Sequence, residues 1–313
     1  MMSCTEFIAT YSELFTFLEK KHGREEVERF WQFLFEPDGK GIPLIRFVER
    51  EGIRGCYSYW TGTLNEEAAD FTMYLNEKAG WFHNEMHHCP SKGRLLELKD
   101  EIGLEPYRDY CLHCDYYRKA IEKVGLVYLF NFIGTDRASC SMTIYDPKLF
   151  DGRIIPDENT VIMDRKASDN EYFHRDFHSS LNMGVHYLGT RFGVGEIREY
   201  LRTFTENVYR PLFGEIRKRG LDAIADKILD TYEKEKASDA VSFERDDGKV
   251  LTVNVAYCPA VKHLKATGRR VSEWYSLTTE VVMERLAREA GADFEMLSYD
   301  EETGAARYRF TEK

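Results

Sequence analysis

The two halves of this chain repeat one another, and the repetition restricts the fold more than any single motif does. Pro43-Leu44 recurs as Pro211-Leu212 at an offset of 168, and Cys89-Pro90 recurs as Cys258-Pro259 at an offset of 169. Matches in one order at a nearly constant offset predict a tandem duplication of a domain of about 140–150 residues, which is an ordinary domain size. Two further pairs of segments match at offsets of 170 and 166: Glu26-Val27 with Glu196-Ile197, and Ile121 to Gly125 with Ala287 to Gly291.

Hydrophobic periodicity predicts the same order of helices and hairpins in each half. The expected fold class is α+β, with N-terminal helices packed on a small antiparallel sheet in each of two tandem copies. Pro37-Asp38-Gly39 is predicted to end the second helix. The predicted helices of the first half are 6–22, 25–35, 43–52, 93–99 and 110–124, and its strands are 69–75, 81–88, 127–132 and 140–145. The predicted strands of the second half are 240–244, 251–257, 294–299 and 306–310, beside a helix at 276–290.

The predicted domains are residues 1–146, which carry a cluster of cysteines and histidines, and residues 171–313, which form a degenerate copy. Residues 147–170 contain Gly152 and Pro156 among many polar residues, a composition typical of a linker. Two such copies are expected to form a pseudo-dimer within one chain, and a homo-oligomer stays open as well.

The charge balance limits the classes of partner. A formal net charge of −11 argues against a nucleic-acid groove, which needs a basic stripe to contact phosphates. No apolar run approaches the roughly 18 residues of a membrane span, and the N-terminus lacks a signal pattern. We therefore expect a cytoplasmic protein with reduced thiols whose partner is a small-molecule ligand or substrate.

Four of the seven cysteines gather in one part of the first half, between positions 89 and 140. Thiolate and imidazole ligands at this density are typical of a zinc or reactive-thiol site, and Cys111 and Cys114 have the Cys-x-x-Cys spacing. The candidate metal ligands are Cys89, Cys111, Cys114, Cys140 and His88, and the candidate catalytic residues are Cys111, His113, Cys114 and Asp115.

The second half lacks most of this cluster. At an offset of 166, the residues Leu277, Thr279, Glu280 and Ala306 stand opposite Cys111, His113, Cys114 and Cys140. Only the Cys-Pro pair is present in both halves, so the repeated fold does not require the other three cysteines. This comparison favours chemistry at the cluster and marks Cys89 as the member with a structural role. Three interpretations stay open: a metal site, a reactive thiol, or small buried hydrophobic side chains.

Other histidines give weaker patterns. His83 and His87 share one face of a predicted strand, which suits metal ligands, a general base or solvated polar groups. His174 and His178 are four residues apart, as metal-binding histidines on a helix are, and His186 extends the same face. A packed or interface-facing stripe is the interpretation that we favour for these three. The sequence contains no Gly-x-Gly-x-x-Gly, P-loop or Gly-x-Ser-x-Gly motif.

The chain resembles the L-2-amino-thiazoline-4-carboxylic acid hydrolase-like family. The motifs that carry the resemblance are Cys89-Pro90 after a hairpin, Cys111 or Cys114 with Asp115, and Thr135 to Cys140 in the last hairpin. It covers residues 6–146 and, more weakly, 175–310. The layout is also similar to the 4-vinyl reductase-type small-molecule-binding domain, whose last helix and hairpin carry cysteines and in some members zinc.

The resemblance implies hydrolysis of a small cyclic C–N substrate of the thiazoline or amidine type. One mechanism has a thiolate at Cys111 or Cys114 attack the ring carbon while His113 or His88 moves protons. In the other, zinc held by Cys89 and further cysteines of the cluster activates water, which requires an open ligand position. The alternative is a non-enzymatic module that binds zinc or a small molecule.

Overall fold

The computed structural model describes residues 2–35 and 43–313, so the break predicted at Pro37-Asp38-Gly39 lies outside the described residues. The helices are α1 (Phe7–His22), α2 (Arg24–Leu34), α3 (Leu44–Glu51), α4 (Arg54–Glu66), α5 (Pro90–Ile102), α6 (Tyr117–Lys123), α7 (Phe177–Phe192), α8 (Val194–Val208), α9 (Arg210–Arg219), α10 (Leu221–Lys234), α11 (Pro259–Ala266) and α12 (Leu277–Glu289). The strands are β1 (Asp70–Asn76), β2 (Trp81–His88), β3 (Val127–Asn131), β4 (Cys140–Tyr145), β5 (Val161–Arg165), β6 (Val241–Asp246), β7 (Val250–Val255), β8 (Ala292–Tyr299) and β9 (Ala306–Glu312). The α+β class predicted from the sequence is confirmed.

The chain divides into two compact units that differ from the predicted domains. The N-terminal unit comprises residues 18–100 and 105–174, and the C-terminal unit comprises 1–17, 101–104 and 175–313. Residues 2–17 therefore pack within the C-terminal unit: the Tyr200 hydroxyl donates a 2.8 Å hydrogen bond to the Thr10 carbonyl, and the Lys227 Nζ lies 2.8 Å from a Glu6 carboxylate oxygen. The sequence pattern predicts helix α1 itself, but it does not indicate that the N-terminal segment belongs to the C-terminal unit.

The N-terminal unit is built around a five-stranded antiparallel sheet in the order β3-β4-β2-β1-β5. Alternate residues of β1 point to the core, where Phe71, Met73 and Leu75 are fully buried. Strand β5 lies inside the segment predicted to be a linker and pairs antiparallel with β1. Its exposed valine and isoleucine side chains do not alternate cleanly with polar ones, so the pattern does not predict a half-buried strand.

The C-terminal unit has a four-stranded antiparallel sheet in the order β6-β7-β9-β8. The order β1-β2-β4-β3 in the first sheet corresponds to β6-β7-β9-β8 in the second. The registers of the corresponding strands also agree. Met86 pairs with Cys140 in the first sheet, and Val255 pairs with Ala306 in the second. The duplication itself stays a prediction, but each unit has the same sequence of helices, hairpin, helix and hairpin.

One helix of the structure is absent from the sequence prediction, and one predicted helix differs from the structure. Helix α4 was missed because its glycines and polar residues obscure the helical period, although it buries Cys56, Trp60 and Leu64. The helix predicted from 110 to 124 is instead a 3-10 turn over Tyr110–Tyr116 followed by α6. No helix in the described ranges is long and apolar enough to cross a membrane.

Helices α4 and α10 end in the same way. The N–H groups of Glu67, Ala68 and Ala69 donate to carbonyls of the last turn of α4, and the equivalent N–H groups of residues 235–237 do the same at α10. Ala68 and Lys236 both adopt the left-handed conformation, with φ of 52° and 55°. This termination places one glutamate, Glu67 or Glu235, directly after the helix in each unit.

Candidate functional site

The 3-10 turn places Cys111 and Cys114 on one side of the segment. Residues three apart are nearly eclipsed in a 3-10 helix. The two side chains therefore point in more similar directions than they would on an α-helix. The turn is held by the Tyr128 hydroxyl on β3, which donates a 3.0 Å hydrogen bond to the carbonyl of Cys114.

Cys89 and Cys140 are supplied by the sheet and its last hairpin. Cys89 follows β2 and precedes α5, and its sulfur accepts a 3.4 Å hydrogen bond from the N–H of Lys92 in the first turn of that helix. The N–H of Cys89 donates to the carbonyl of Ala138 at 2.6 Å, which ties the start of α5 to the loop that leads into Cys140. The C-terminal unit repeats this tie, because the Cys258 N–H donates to the Thr303 carbonyl at 3.0 Å.

All four cysteines predicted from the sequence lie close enough together for their charges to interact. The charge of each thiolate raises the pKa of others, and between them these effects join all six pairs of Cys89, Cys111, Cys114 and Cys140. The four side chains are partly exposed, whereas Cys4, Cys56 and Cys258 are buried. We call Cys89, Cys111, Cys114 and Cys140 the thiol cluster. None of the seven cysteines, all of which lie in the described residues, forms a disulfide.

The thiol cluster is more open than a metal coordination sphere. No three of its sulfur atoms, all of which belong to described residues, lie within 4.8 Å of one another. The group that meets this distance is instead Cys4, His178 and Glu235 in the C-terminal unit.

The thiols are protonated at neutral pH in this arrangement. Burial, together with the charges of Cys111 and Glu67, raises the pKa of Cys89 to about 12. Burial and the neighbouring thiols also raise the pKa of Cys114 and Cys140, and burial raises that of Cys111 against the opposing charge of Lys92. A thiolate nucleophile needs a lowered pKa, so the geometry disfavours nucleophilic catalysis by a free thiolate.

His113 and Cys114 form a neutral pair. The His113 Nδ1 donates to the carbonyl of Tyr110, which leaves Nε2 as an acceptor 3.8 Å from the sulfur of Cys114. Burial lowers the pKa of His113 to about 4 despite that backbone hydrogen bond. Because this imidazole is a weak base and the thiol a weak acid, proton transfer between them is unfavourable, unlike in cysteine proteases.

The remaining predicted site residues lie at the edge of the thiol cluster or away from it. Asp115 forms a 2.6 Å ion pair with Arg118, so its carboxylate is already paired with a charged side chain. The His88 ring packs against Gly93, where an added Cβ would lie 2.2 Å from Nε2. His87 accepts or donates a 2.7 Å hydrogen bond with the Thr72 hydroxyl, and His83 does so at 2.9 Å with Thr143.

His174 and His178 do not share a helix face. Helix α7 begins at Phe177, so His174 precedes it and belongs to the N-terminal unit, where its Nδ1 lies 2.6 Å from a Glu66 carboxylate oxygen. His178 is in the first turn of α7. The four-residue spacing therefore does not bring the two rings to one metal ion. His186 packs near Trp274, with ring centroids 6.1 Å apart.

Sequence reasoning missed Glu67, which adjoins the thiol cluster. The charge of this carboxylate raises the pKa of Cys89, Cys114 and Tyr117, so it lies near all three. Burial raises the pKa of Glu67 to about 7, with His174 opposing and Glu66 adding to the shift. The available signal was the repeat itself, because Thr63, Glu67 and Ala69 recur as Thr231, Glu235 and Ala237 at an offset of 168.

Two tyrosines complete the surroundings. The hydroxyls of Tyr59 and Tyr117 are 3.3 Å apart, and burial, followed by the charge of Tyr59, raises the pKa of Tyr117 well above its usual value. The thiol cluster therefore adjoins a group of weakly acidic, neutral side chains, with Glu67 as the one that changes charge near neutral pH. Perturbed titration of several groups in one place is typical of functional sites.

No protein-family model, curated protein or solved structure matches this chain.

The donor set of the thiol cluster fits a soft metal ion. Thiolates prefer Zn²⁺, Cu⁺ and iron–sulfur centres, whereas Mg²⁺ and Ca²⁺ take oxygen ligands. Three or four sulfurs must approach one another to share an ion, and a change of one χ1 well moves a cysteine sulfur by about 3 Å. Since each cysteine of the cluster lies in a turn or at the end of an element, such side-chain rotation leaves the sheet unchanged.

Proposed function

We propose that the N-terminal unit binds a thiophilic metal ion of the zinc type through the thiol cluster. The observation that carries this proposal is that each of the four thiols lies near the other three, so that all six pairs interact. Four sulfur atoms in one region repel one another when ionised, so they stay protonated or share a cation. The partial exposure of all four side chains also favours a site that an ion can reach.

The number of sulfur ligands determines what the site does. Four thiolates close the coordination sphere and make a structural site, whereas three leave a position for water or a ligand. Cys89 has the same place as Cys258, which occurs without a thiol cluster in the C-terminal unit. Cys111, Cys114 and Cys140 are therefore the ligands that define the function of this unit.

The test is the metal content of the full chain purified without chelator. We expect about one equivalent of zinc to be lost in Cys114→Ser and in Cys140→Ser. Cys56→Ser is the matched control, because Cys56 is fully buried in α4 of the same unit. Equal zinc content in Cys114→Ser, Cys140→Ser and Cys56→Ser would overturn the proposal.

A second candidate function is hydrolysis of a small cyclic C–N substrate, and Glu67 is the observation that favours it. A carboxyl group with a pKa of about 7 suits general acid–base catalysis, since it exchanges a proton near the working pH. In this function a zinc ion held by the thiol cluster would supply Lewis-acid activation of water, and Glu67 would accept the proton at its carboxylate and return it to the departing ring atom. His113 stays neutral and positions Cys114.

Glu67→Gln separates the two functions. The variant keeps the size of the side chain and removes the exchangeable proton, so we expect unchanged zinc content with at least a hundredfold loss of turnover of a 2-amino-thiazoline carboxylate probe. If the wild-type chain binds zinc but shows no turnover of this probe, binding stands and hydrolysis of this substrate class is excluded.

A further inference from the structure

The C-terminal unit contains a second group of metal-ligating side chains, Cys4, His178 and Glu235. One ligand atom of each lies within 4.8 Å of those of the other two. All three residues are buried, with 1%, 2% and 2% of their surface exposed. Burial of three polar side chains in one place is costly unless they are paired or bind an ion.

Three separate elements position these residues. Cys4 lies in the short turn Cys4–Glu6 before α1, His178 lies in the first turn of α7, and Glu235 follows the last residue of α10. The His178 Nε2 is 3.0 Å from one carboxylate oxygen of Glu235. The N–H of Cys4 donates a 2.5 Å hydrogen bond to the other oxygen. The N-terminal segment of the chain is thus anchored at this group.

A buried hydroxyl near the group has no hydrogen-bond partner. Tyr275 is 3% exposed, and its hydroxyl is one of the few buried polar side-chain atoms of the described residues without a partner. Burial raises the pKa of this hydroxyl, and the charges of Cys258, Tyr299 and Glu235 add to the effect, so the hydroxyl lies within range of the Glu235 charge. An unsatisfied group at such a place points to a further polar species beside it.

We propose that Cys4, His178 and Glu235 form a metal-binding site for one divalent ion of borderline softness, such as Zn²⁺. One thiolate and one carboxylate balance the charge of the ion, and the imidazole completes a mixed sulfur, nitrogen and oxygen set. Such sets suit Zn²⁺ and neighbouring transition metals rather than Mg²⁺ or Ca²⁺. Ligand atoms of a tetrahedral zinc site lie about 3–4 Å apart, which the 4.8 Å limit of this group accommodates.

The site belongs to the C-terminal unit alone and does not depend on the thiol cluster. Glu235 has a counterpart in Glu67, but at the offset of 170 the residue opposite His178 is Ile8. Three protein ligands leave a fourth position for water, with the Tyr275 hydroxyl as a nearby polar group. The N-terminal segment supplies Cys4, so metal binding fastens that segment to α7 and α10.

The experiment is a Co²⁺ titration of the chelator-treated full chain, followed by the sulfur-to-cobalt charge-transfer absorption. We expect Cys4→Ser and the isosteric Glu235→Gln to lose one equivalent of bound Co²⁺. Changes of groups outside the coordination sphere cost about 10–100-fold in affinity, so removal of a ligand should cost at least about 100-fold. Cys56→Ser is the control, and Cys114→Ser should lose the other equivalent while it retains this one.

The proposal is overturned if Cys4→Ser and Glu235→Gln bind as many equivalents of Co²⁺ as Cys56→Ser, with the same affinity. Because either variant can lose its fold, cadmium NMR of the wild-type chain gives an independent measurement. We expect one cadmium resonance in the range of mixed sulfur, nitrogen and oxygen ligands. Its absence from cadmium-saturated wild-type protein also contradicts the site, whatever the state of the thiol cluster.

Discussion

At the scale of single residues, the sequence identified the cysteines but not the acid beside them. Cys111, Cys114 and Cys140 stood out because they occur in one half of a repeated sequence, and the structure places them together with Cys89. Glu67 carried no motif, since a glutamate at a helix end is most often solvated. The raised pKa of Glu67 comes from burial and from neighbours that are distant in sequence. No local sequence pattern encodes either of them.

The carboxyl of Glu67 makes stability depend on pH. With its pKa raised from 4.5 to about 7, Glu67 holds an extra proton in the folded chain between these pH values, so its contribution to stability is fully present below pH 4.5 and is lost as pH rises to about 7. Such a rise of the pKa corresponds to about 3 kcal/mol in the free energy of unfolding. We expect Glu67→Gln to remove this dependence and to raise the unfolding midpoint at pH 8.

Thermal unfolding of metal-free protein between pH 5 and pH 8 checks this expectation. Glu122→Gln is a control in the same unit, because Glu122 is exposed on α6. Parallel pH profiles for the wild type and Glu67→Gln would show that Glu67 does not titrate in this range.

At the scale of elements, strands were predicted more accurately than the segments around the site. Strand β2 has the predicted bounds, because its period-two pattern follows directly from one buried face. The site instead uses the 3-10 turn Tyr110–Tyr116 and the end of α4, which Glu67 follows. Their geometry depends on tertiary packing: Gly55, in the first turn of α4, lies against the backbone of Phe47 in α3.

The close approach of α3 and α4 predicts opposite effects for two glycine substitutions in one helix. A Cβ at Gly55 would lie 2.3 Å from the Phe47 carbonyl oxygen, whereas a Cβ at Gly62 meets nothing within 4 Å. Gly55→Ala should cost about 1–3 kcal/mol through overpacking. Gly62→Ala should gain up to about 1 kcal/mol from helix propensity.

Denaturant unfolding of both variants tests the packing of this helix pair. Midpoints that move in the same direction would contradict the backbone contact between α3 and α4, since helix propensity alone favours alanine at both positions.

At the scale of the whole molecule, the internal repeat predicted two units with one sheet order but not their exact composition. Each sheet has its hairpin strands in the same sequence, while β5 extends the sheet of the N-terminal unit alone. The repeat suggested that residues 1–17 belong with the first unit, and the structure assigns them to the second. Helix periodicity gives the buried face of α1 but not the unit against which that face packs.

The ion pair between Glu6 and Lys227 fastens this N-terminal segment. Both side chains are largely buried, and although burial opposes it, the Lys227 ammonium holds the pKa of the Glu6 carboxyl below its usual value of 4.5. The pair therefore stabilises the chain above pH 4.5, and this contribution is lost as pH falls through the lowered pKa. Lys227→Met leaves a buried carboxylate unpaired, and we expect a loss of about 1–3 kcal/mol at pH 7.

The double variant Glu6→Gln/Lys227→Met is the matched control for the ion pair. It removes both charges, so it should recover part of the stability that Lys227→Met loses, as measured by thermal unfolding at pH 7. A double variant no more stable than Lys227→Met would contradict the pairing of these two side chains.

The central claim is that the thiol cluster holds one metal ion, and zinc-edge X-ray absorption tests it most directly. The measurement is made on the Cys4→Ser chain loaded with one equivalent of zinc, so that the Cys4 group contributes no sulfur. We predict a shell of three or four sulfur atoms at about 2.3 Å from zinc. A shell of nitrogen and oxygen atoms without sulfur, or failure to retain zinc, would contradict the claim.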